Sequence, residues 1–142
     1  STTPQFPIVY QLFKQLRDIY PTALTMIGGP HASAVASLKK RNKDDINIKR
    51  IEEFDIIFEG EGESTKNMFK FGWTKGELIK NIDETLIPDW SLMDIKSYDY
   101  DLLGNKATSM QTQRGCPYSC EFCGGRDIEM YNQTRMHSPE RV

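Results

Sequence analysis

Three cysteines, Cys116, Cys120 and Cys123, are the only ones in the chain, and one run holds them all: Arg114-Gly115-Cys116-Pro117-Tyr118-Ser119-Cys120-Glu121-Phe122-Cys123. Their spacing is C-x3-C-x2-C. Thiolates are soft ligands that suit iron–sulfur clusters or zinc. A cubane cluster of four irons is ordinarily held by four cysteines, so three in one loop leave one iron without a protein ligand. An open coordination position is where metal chemistry takes place, whereas a closed one is structural. Gly115 permits a sharp turn and close backbone approach before the first ligand. Pro117 fixes the backbone after it, and Phe122 puts an aromatic face beside the third, suited to covering a flat ring.

An odd cysteine count without a secretory signal argues against a disulfide framework. Zinc is the competing metal. His137 would complete a Cys3His set of the kind found in structural zinc sites, although the separation from Cys123 to His137 is typical of neither a knuckle nor a short finger. The residues by themselves therefore leave two readings: a catalytic cluster, or a non-catalytic zinc or iron–sulfur module that stabilises an α/β fold.

The arrangement of Cys116, Cys120, Phe122 and Cys123 resembles the C-x3-C-x-aromatic-C signature of the radical S-adenosylmethionine (SAM) superfamily. The resemblance implies that the three cysteines hold a 4Fe-4S cluster whose free iron binds the amino and carboxylate groups of SAM. Phe122 would lie near the adenine, and the reduced cluster would cleave SAM to a 5′-deoxyadenosyl radical. It also implies an electron donor such as flavodoxin or ferredoxin and leaves the small-molecule substrate open.

The elements that must position this loop are read from periodicity. Ile8, Val9, Leu12, Phe13, Leu16 and Ile19 recur at helical spacing and predict a helix over 7–20, with Pro7 in its first turn and Pro21 as its stop. Leu24 to Ile27 is a short apolar run, which suits a strand buried on both faces, and it ends in Gly28-Gly29-Pro30. Ala32 to Lys40 reads as a second helix with basic residues in its last turn. Asn42 to Glu53, charged and of mixed sign, reads as a solvated loop or helix end without function. Phe54 to Phe58 is a second buried strand, followed by Glu59-Gly60-Glu61-Gly62-Glu63, and Ser64 is placed to cap a third helix through Met68 and Phe69. Helix, strand, helix, strand, helix implies an α/β layer with parallel strands. Both glycine turns fall at the carboxyl ends of strands, the edge where open α/β sheets bind ligands.

Gly28-Gly29-Pro30-His31-Ala32-Ser33, followed by Asp55-Ile56-Ile57-Phe58-Glu59-Gly60-Glu61-Gly62-Glu63, resembles the cobalamin (B12)-binding domain that precedes many radical SAM domains. This implies that Gly28, Gly29, Gly60 and Gly62 let the backbone approach cobalamin. The plainer reading is a pair of structural turns, with the glutamates capping the next helix. The D-x-H-x-x-G motif that supplies a cobalt-ligating histidine in many such domains is absent, and His31 is expected to serve turn hydrogen bonding instead.

Gly72 to Tyr100 reads as a connector, with a short polar helix expected over Lys75 to Glu84. Its Pro88-Asp89-Trp90-Ser91-Leu92-Met93-Asp94 resembles the linker between the two domains, where Trp90 and Leu92 would anchor against a neighbour. Ala107 to Gln113 is expected as a strand that delivers the cysteine loop at its carboxyl end, the active-site end of a β/α barrel. Ser138 and Pro139 would start the following helix. Arg126 and Arg135 are assigned to solvent.

The expected fold is thus α/β: a partial Rossmann-like, B12-binding-type parallel sheet over 1–72, a linker over 73–105, and the first β/α unit of a radical SAM partial TIM barrel over 106–142. The chain has 142 residues, starts at Ser1, and continues for 19 residues beyond Cys123, whereas a full β/α barrel needs about 200 or more. The expectation is a window across two domains of a longer protein. A net charge of −2 gives no basic excess to attract nucleic acid. No run is apolar and long enough to span a membrane, and no signal peptide is evident. Reduced cysteines at metal-ligand spacing fit the cytoplasm.

Overall fold

Pro7 stands in the first turn of helix α1 (Phe6–Ile19), where its missing N–H leaves no intrahelical bond unmade. The computed structural model describes residues 3–41, 44–64, 70–94, 97–98 and 100–142. Helix α1 packs through Phe6, Val9, Tyr10 and Phe13. That corrects the expected face: Ile8, Leu12, Leu16 and Ile19 form a second apolar stripe that is exposed. Both stripes have helical spacing, so periodicity alone does not say which one meets the core.

Strands β1 (Met26–Ile27), β2 (Ile56–Glu59) and β3 (Gly72–Lys75) form a parallel sheet in the order β1-β2-β3. Ile27 pairs with Ile57, and Ile57 with Trp73. Helices α2 (Pro30–Lys39) and α3 (Ile46–Ile51) complete the layer. The core joins Phe6, Phe13, Ile27, Ala32, Val35, Ile48, Ile51, Phe54 and Ile57, with the Phe13 and Phe54 rings stacked 4.1 Å apart. Burial of this apolar set is what stabilises the unit. The parallel sheet agrees with the Rossmann-like expectation.

Four local expectations change. The charged stretch before Phe54 contains α3: Asp45 caps it by accepting the Asn47 N–H at 2.7 Å, and Ile48 and Ile51 are buried while Lys49 is exposed and Arg50 lies over the Tyr10 ring. Leu24 and Met26 are exposed because β1 is an edge strand of the described sheet, with only Ile27 turned into the core. The connector supplies β3, so the sheet continues across position 73, and a single turn at Ile82–Glu84 replaces the expected Lys75–Glu84 helix. Ser64 ends a short turn, its Oγ donating to the Glu61 carbonyl at 2.7 Å. The helix expected through Met68 and Phe69 lies outside the described residues.

Beyond the sheet, β4 (Asp101–Leu102) and β5 (Asn105–Lys106) form a small hairpin. The strand expected over Ala107–Gln113 reduces to β6 (Gln113–Arg114), which pairs antiparallel with β7 (Arg135–Met136). A barrel strand needs parallel neighbours, and β6 has none among the described residues. Among the described residues the pairing of β6 does not show the barrel unit expected over 106–142. Ser138 starts a single turn in which its carbonyl accepts from Arg141 and Val142 at 3.0 and 3.3 Å. Among the described residues, no helix is long and apolar enough to cross a membrane.

Candidate functional site

The two glycine turns lie side by side, because they end adjacent parallel strands. Gly29 caps α2, and the Ser33 hydroxyl bridges the turns, accepting from Gly60 N at 3.0 Å and donating to the Gly29 carbonyl at 3.2 Å. Gly60 has φ 101°, and a Cβ there would stand 3.1 Å from the Gly76 carbonyl. Gly28 makes ordinary contact with Phe58, whereas nothing lies within 4 Å of a Cβ placed on Gly62. His31 is not at this edge: it is 3% exposed, stacks on Phe6 at 4.0 Å, and its Nδ1 lies 3.3 Å from Thr3 Oγ1. Burial holds its pKa below the usual histidine range.

Residues 127–130 lie across the same edge. Ser37 Oγ donates to the Asp127 carbonyl at 2.9 Å, and Arg41 and Lys75 pair with Asp127 and Glu129 at 2.9 and 2.7 Å. A small crevice of about 50 Å³ remains, lined among others by Ser33, Glu59, Gly60, Lys75, Gly76 and Met130, well below the ordinary range for a ligand cleft.

The cysteine loop hangs between β6 and β7. Gly115 has φ 79°, and a Cβ there would fall 1.9 Å from the Gln133 carbonyl, so no larger residue fits. Cys116 N donates to the Tyr131 carbonyl at 2.8 Å and Cys123 N to the Cys120 carbonyl at 3.0 Å. All three thiols are free and exposed, and Phe122 is 94% exposed. Three soft donors in one accessible loop fit a cluster by chemistry. Their sulfurs are not yet converged: among the described residues no group of three or more His, Cys, Asp or Glu stands ready to hold a metal ion. His137 is engaged elsewhere, with Nδ1 2.8 Å from Asp83 Oδ1. The hydrogen bonds from His137 and Ser138 hold the Asp83 carboxyl below its usual range.

Sequence reasoning missed the group that joins these regions. Glu61, expected as a helix cap, is 4% exposed and binds Arg114 Nη1 at 3.2 Å, Arg135 Nη1 at 2.6 Å and the Ile79 N–H at 2.9 Å. Arg135, expected in solvent, is buried and also donates to the carbonyls of Ile79 and Met130. Glu63 takes the other side of Arg114 at 2.5 Å. Burial pushes the Glu61 carboxyl up, but the bonds from Arg135, Ile79 and Arg114 outweigh it and leave the net shift downward. Two acids in one turn and two arginines flanking the cysteines were the available signal, at a sequence separation that local patterns do not register.

No family model matches the chain, and no solved structure does. Among curated proteins, the chain is similar over 100% of its length to an uncharacterized methyltransferase of Pyrococcus horikoshii, at 27% identity. It is similar, again over 100% of its length, to an anaerobic magnesium-protoporphyrin IX monomethyl ester cyclase of Cereibacter sphaeroides, at 24% identity. An uncharacterized methyltransferase of Synechocystis is 30% identical over 70% of the chain. The chain spans 34%, 26% and 17% of the length of these three relatives, all of them enzymes by name.

Proposed function

We propose that the chain is part of an enzyme of the radical SAM type, in which Cys116, Cys120 and Cys123 hold a 4Fe-4S cluster. The observation that carries this reading is the loop: three free, exposed thiols at C-x3-C-x2-C, with Phe122 equally exposed beside the third. Such donors suit a cluster with one open iron. Similarity over the whole chain to proteins named methyltransferase and cyclase supports an enzyme.

When bound, the cluster supplies the electron that breaks the carbon–sulfur bond of SAM, and cobalamin supplies a methyl carrier; the hard chemistry belongs to these groups. The chain's own residues bind and orient. Phe122 offers the adenine a flat face. Gly28, Gly29, Gly60 and Gly62 form the sheet edge against which cobalamin would lie, with Gly62 the open position. Toward cobalt this chain offers no histidine, since His31 lies beneath Phe6 and His137 is held by Asp83. The reaction class is methyl transfer or ring rearrangement on a small molecule. The electron donor is a flavodoxin or ferredoxin, and the compartment is the reducing cytoplasm.

Anaerobic reconstitution of the intact protein with iron and sulfide, followed by EPR of the reduced form with and without SAM, tests the reading. The expected result is a four-iron signal that SAM perturbs. Tightly held zinc, with no cluster formed, would overturn it in favour of a non-catalytic metal module.

A further inference from the structure

Glu61 belongs to the glycine turn of the parallel sheet, yet its carboxylate ties both ends of the cysteine loop. Oε1 accepts from Arg114 and Oε2 from Arg135. These arginines are cross-strand partners in β6 and β7. They are the residues immediately before and after segment 115–134, which carries all three thiols. Of the other attachments of that segment to the sheet unit, Arg41–Asp127 and Lys75–Glu129 join exposed side chains, and such pairs contribute little; Ser37 Oγ to the Asp127 carbonyl and the buried Ile128 add a hydrogen bond and an apolar contact. The Glu61 tie is buried on both sides, with the Glu61 and Arg135 side chains 3% and 7% exposed. Fully paired, a buried polar network rigidifies what it joins; with one partner lost, the remaining charge is uncompensated.

We propose that Glu61 is a positioning residue for the cysteine loop. It fixes both ends of segment 115–134 so that Cys116, Cys120 and Cys123 converge on one cluster. The proposal rests on the cluster reading of the loop for its purpose and on the ion-pair geometry for its mechanism. A carboxylate that merely stabilised the fold would protect sheet and loop alike. A positioning carboxylate protects the loop selectively.

The test uses the intact protein with Glu61→Gln, which keeps the side chain's shape and removes its charge. Hydrogen exchange of the metal-free protein is read first. Exchange across 115–134 should rise about tenfold, the equivalent of one charge-assisted hydrogen bond lost, while Ile56–Glu59 stays unchanged. After reconstitution, the variant should retain less iron and give a broadened EPR signal, and Glu61→Asp should recover part of both. Glu63→Gln guards against a Glu61 variant that does not fold. Its effect should be smaller and centred on Arg114, because Glu63 holds that arginine alone. Unchanged exchange and EPR in both glutamine variants would overturn the proposal. So would an equal rise in sheet and loop. A wild-type protein that takes up no four-iron cluster would overturn the cluster reading instead, and the exchange of the metal-free loop would still report on the clamp.

Discussion

The sheet unit buries Phe6, Phe13, Ile51, Ile56 and Ile57, whereas across residues 107–142 only Ile128 and Arg135 are buried. One region is held by apolar area removed from water, which is non-directional and tolerant of small shifts. The other is held by directional bonds, the buried ones converging on Glu61 and the rest at Asp83, Asp127 and Glu129. The difference suits the two tasks. A parallel sheet presents a fixed carboxyl edge, and a loop that must gather three thiols around a cluster needs fixed ends and a free middle. It follows that damage to the sheet should disable both regions, while damage to the loop should leave the sheet intact.

The largest effect is expected in the central strand. Ile57→Ala leaves a cavity beneath Phe54 and Trp73 and should lower stability by about 3 kcal/mol. Urea unfolding followed by tryptophan fluorescence measures this, and an equal loss of loop protection would confirm that the loop depends on the sheet. Arg135→Ala comes next. It leaves the buried Glu61 carboxylate with Arg114 as its remaining charged partner and frees two backbone carbonyls, a change worth about 3 kcal/mol where a buried pair is broken. The loss should appear as loop exchange, with the sheet's own unfolding midpoint nearly unchanged. A falling midpoint would mean that the two regions unfold as one unit.

A smaller, pH-dependent effect should arise at Asp55. Its carboxylate accepts from the Thr25 hydroxyl and N–H and from Arg17, which lowers its pKa from 3.8 to about 2. A depressed carboxylate contributes stability above its unfolded pKa and loses it as pH falls through the folded value. Asp55→Asn should therefore cost about 1 kcal/mol near neutrality, discounted for the partial exposure of the pair. The gap from wild type should close between about pH 4 and pH 2. A gap that persists at the acid end would assign the cost to lost shape rather than lost charge.

What the sequence made legible follows from the range of each interaction. The cysteine run is local, so spacing and residue type display its chemistry. The order of strands and helices in the first half is local as well, and it emerged from apolar runs and glycine turns. Helix α3 was hidden because Lys49 and Arg50 masked the Ile48/Ile51 pair, although Asp45 was a readable cap. The clamp was hidden for a different reason. Glu61 meets Arg114 and Arg135 at separations of 53 and 74 residues, and no periodicity encodes such a meeting. The strand expected over Ala107–Gln113 shortened on the same ground: alternation marked its faces, but the cross-strand pairing of Gln113–Arg114 with Arg135–Met136, which sets its extent, is not local.

The smallest effect on stability is expected where function is proposed to concentrate. Phe122→Ala removes a ring that is 94% exposed, and exposed substitutions ordinarily shift stability by less than about 0.5 kcal/mol. Cys120→Ser should behave likewise in the metal-free protein, since that thiol is exposed. Both variants should nevertheless separate sharply after reconstitution. Cys120→Ser should lose the four-iron signal. Phe122→Ala should keep the cluster but bind SAM more weakly, by roughly the tenfold that one aromatic contact of 0.5–1.5 kcal/mol supports. A large exposed aromatic beside a ligand loop is a cost to solubility unless something covers it. Were Phe122→Ala to leave SAM binding untouched, the ring would have to be covered by protein instead, and the cysteine loop would be a contact surface as well as a metal site.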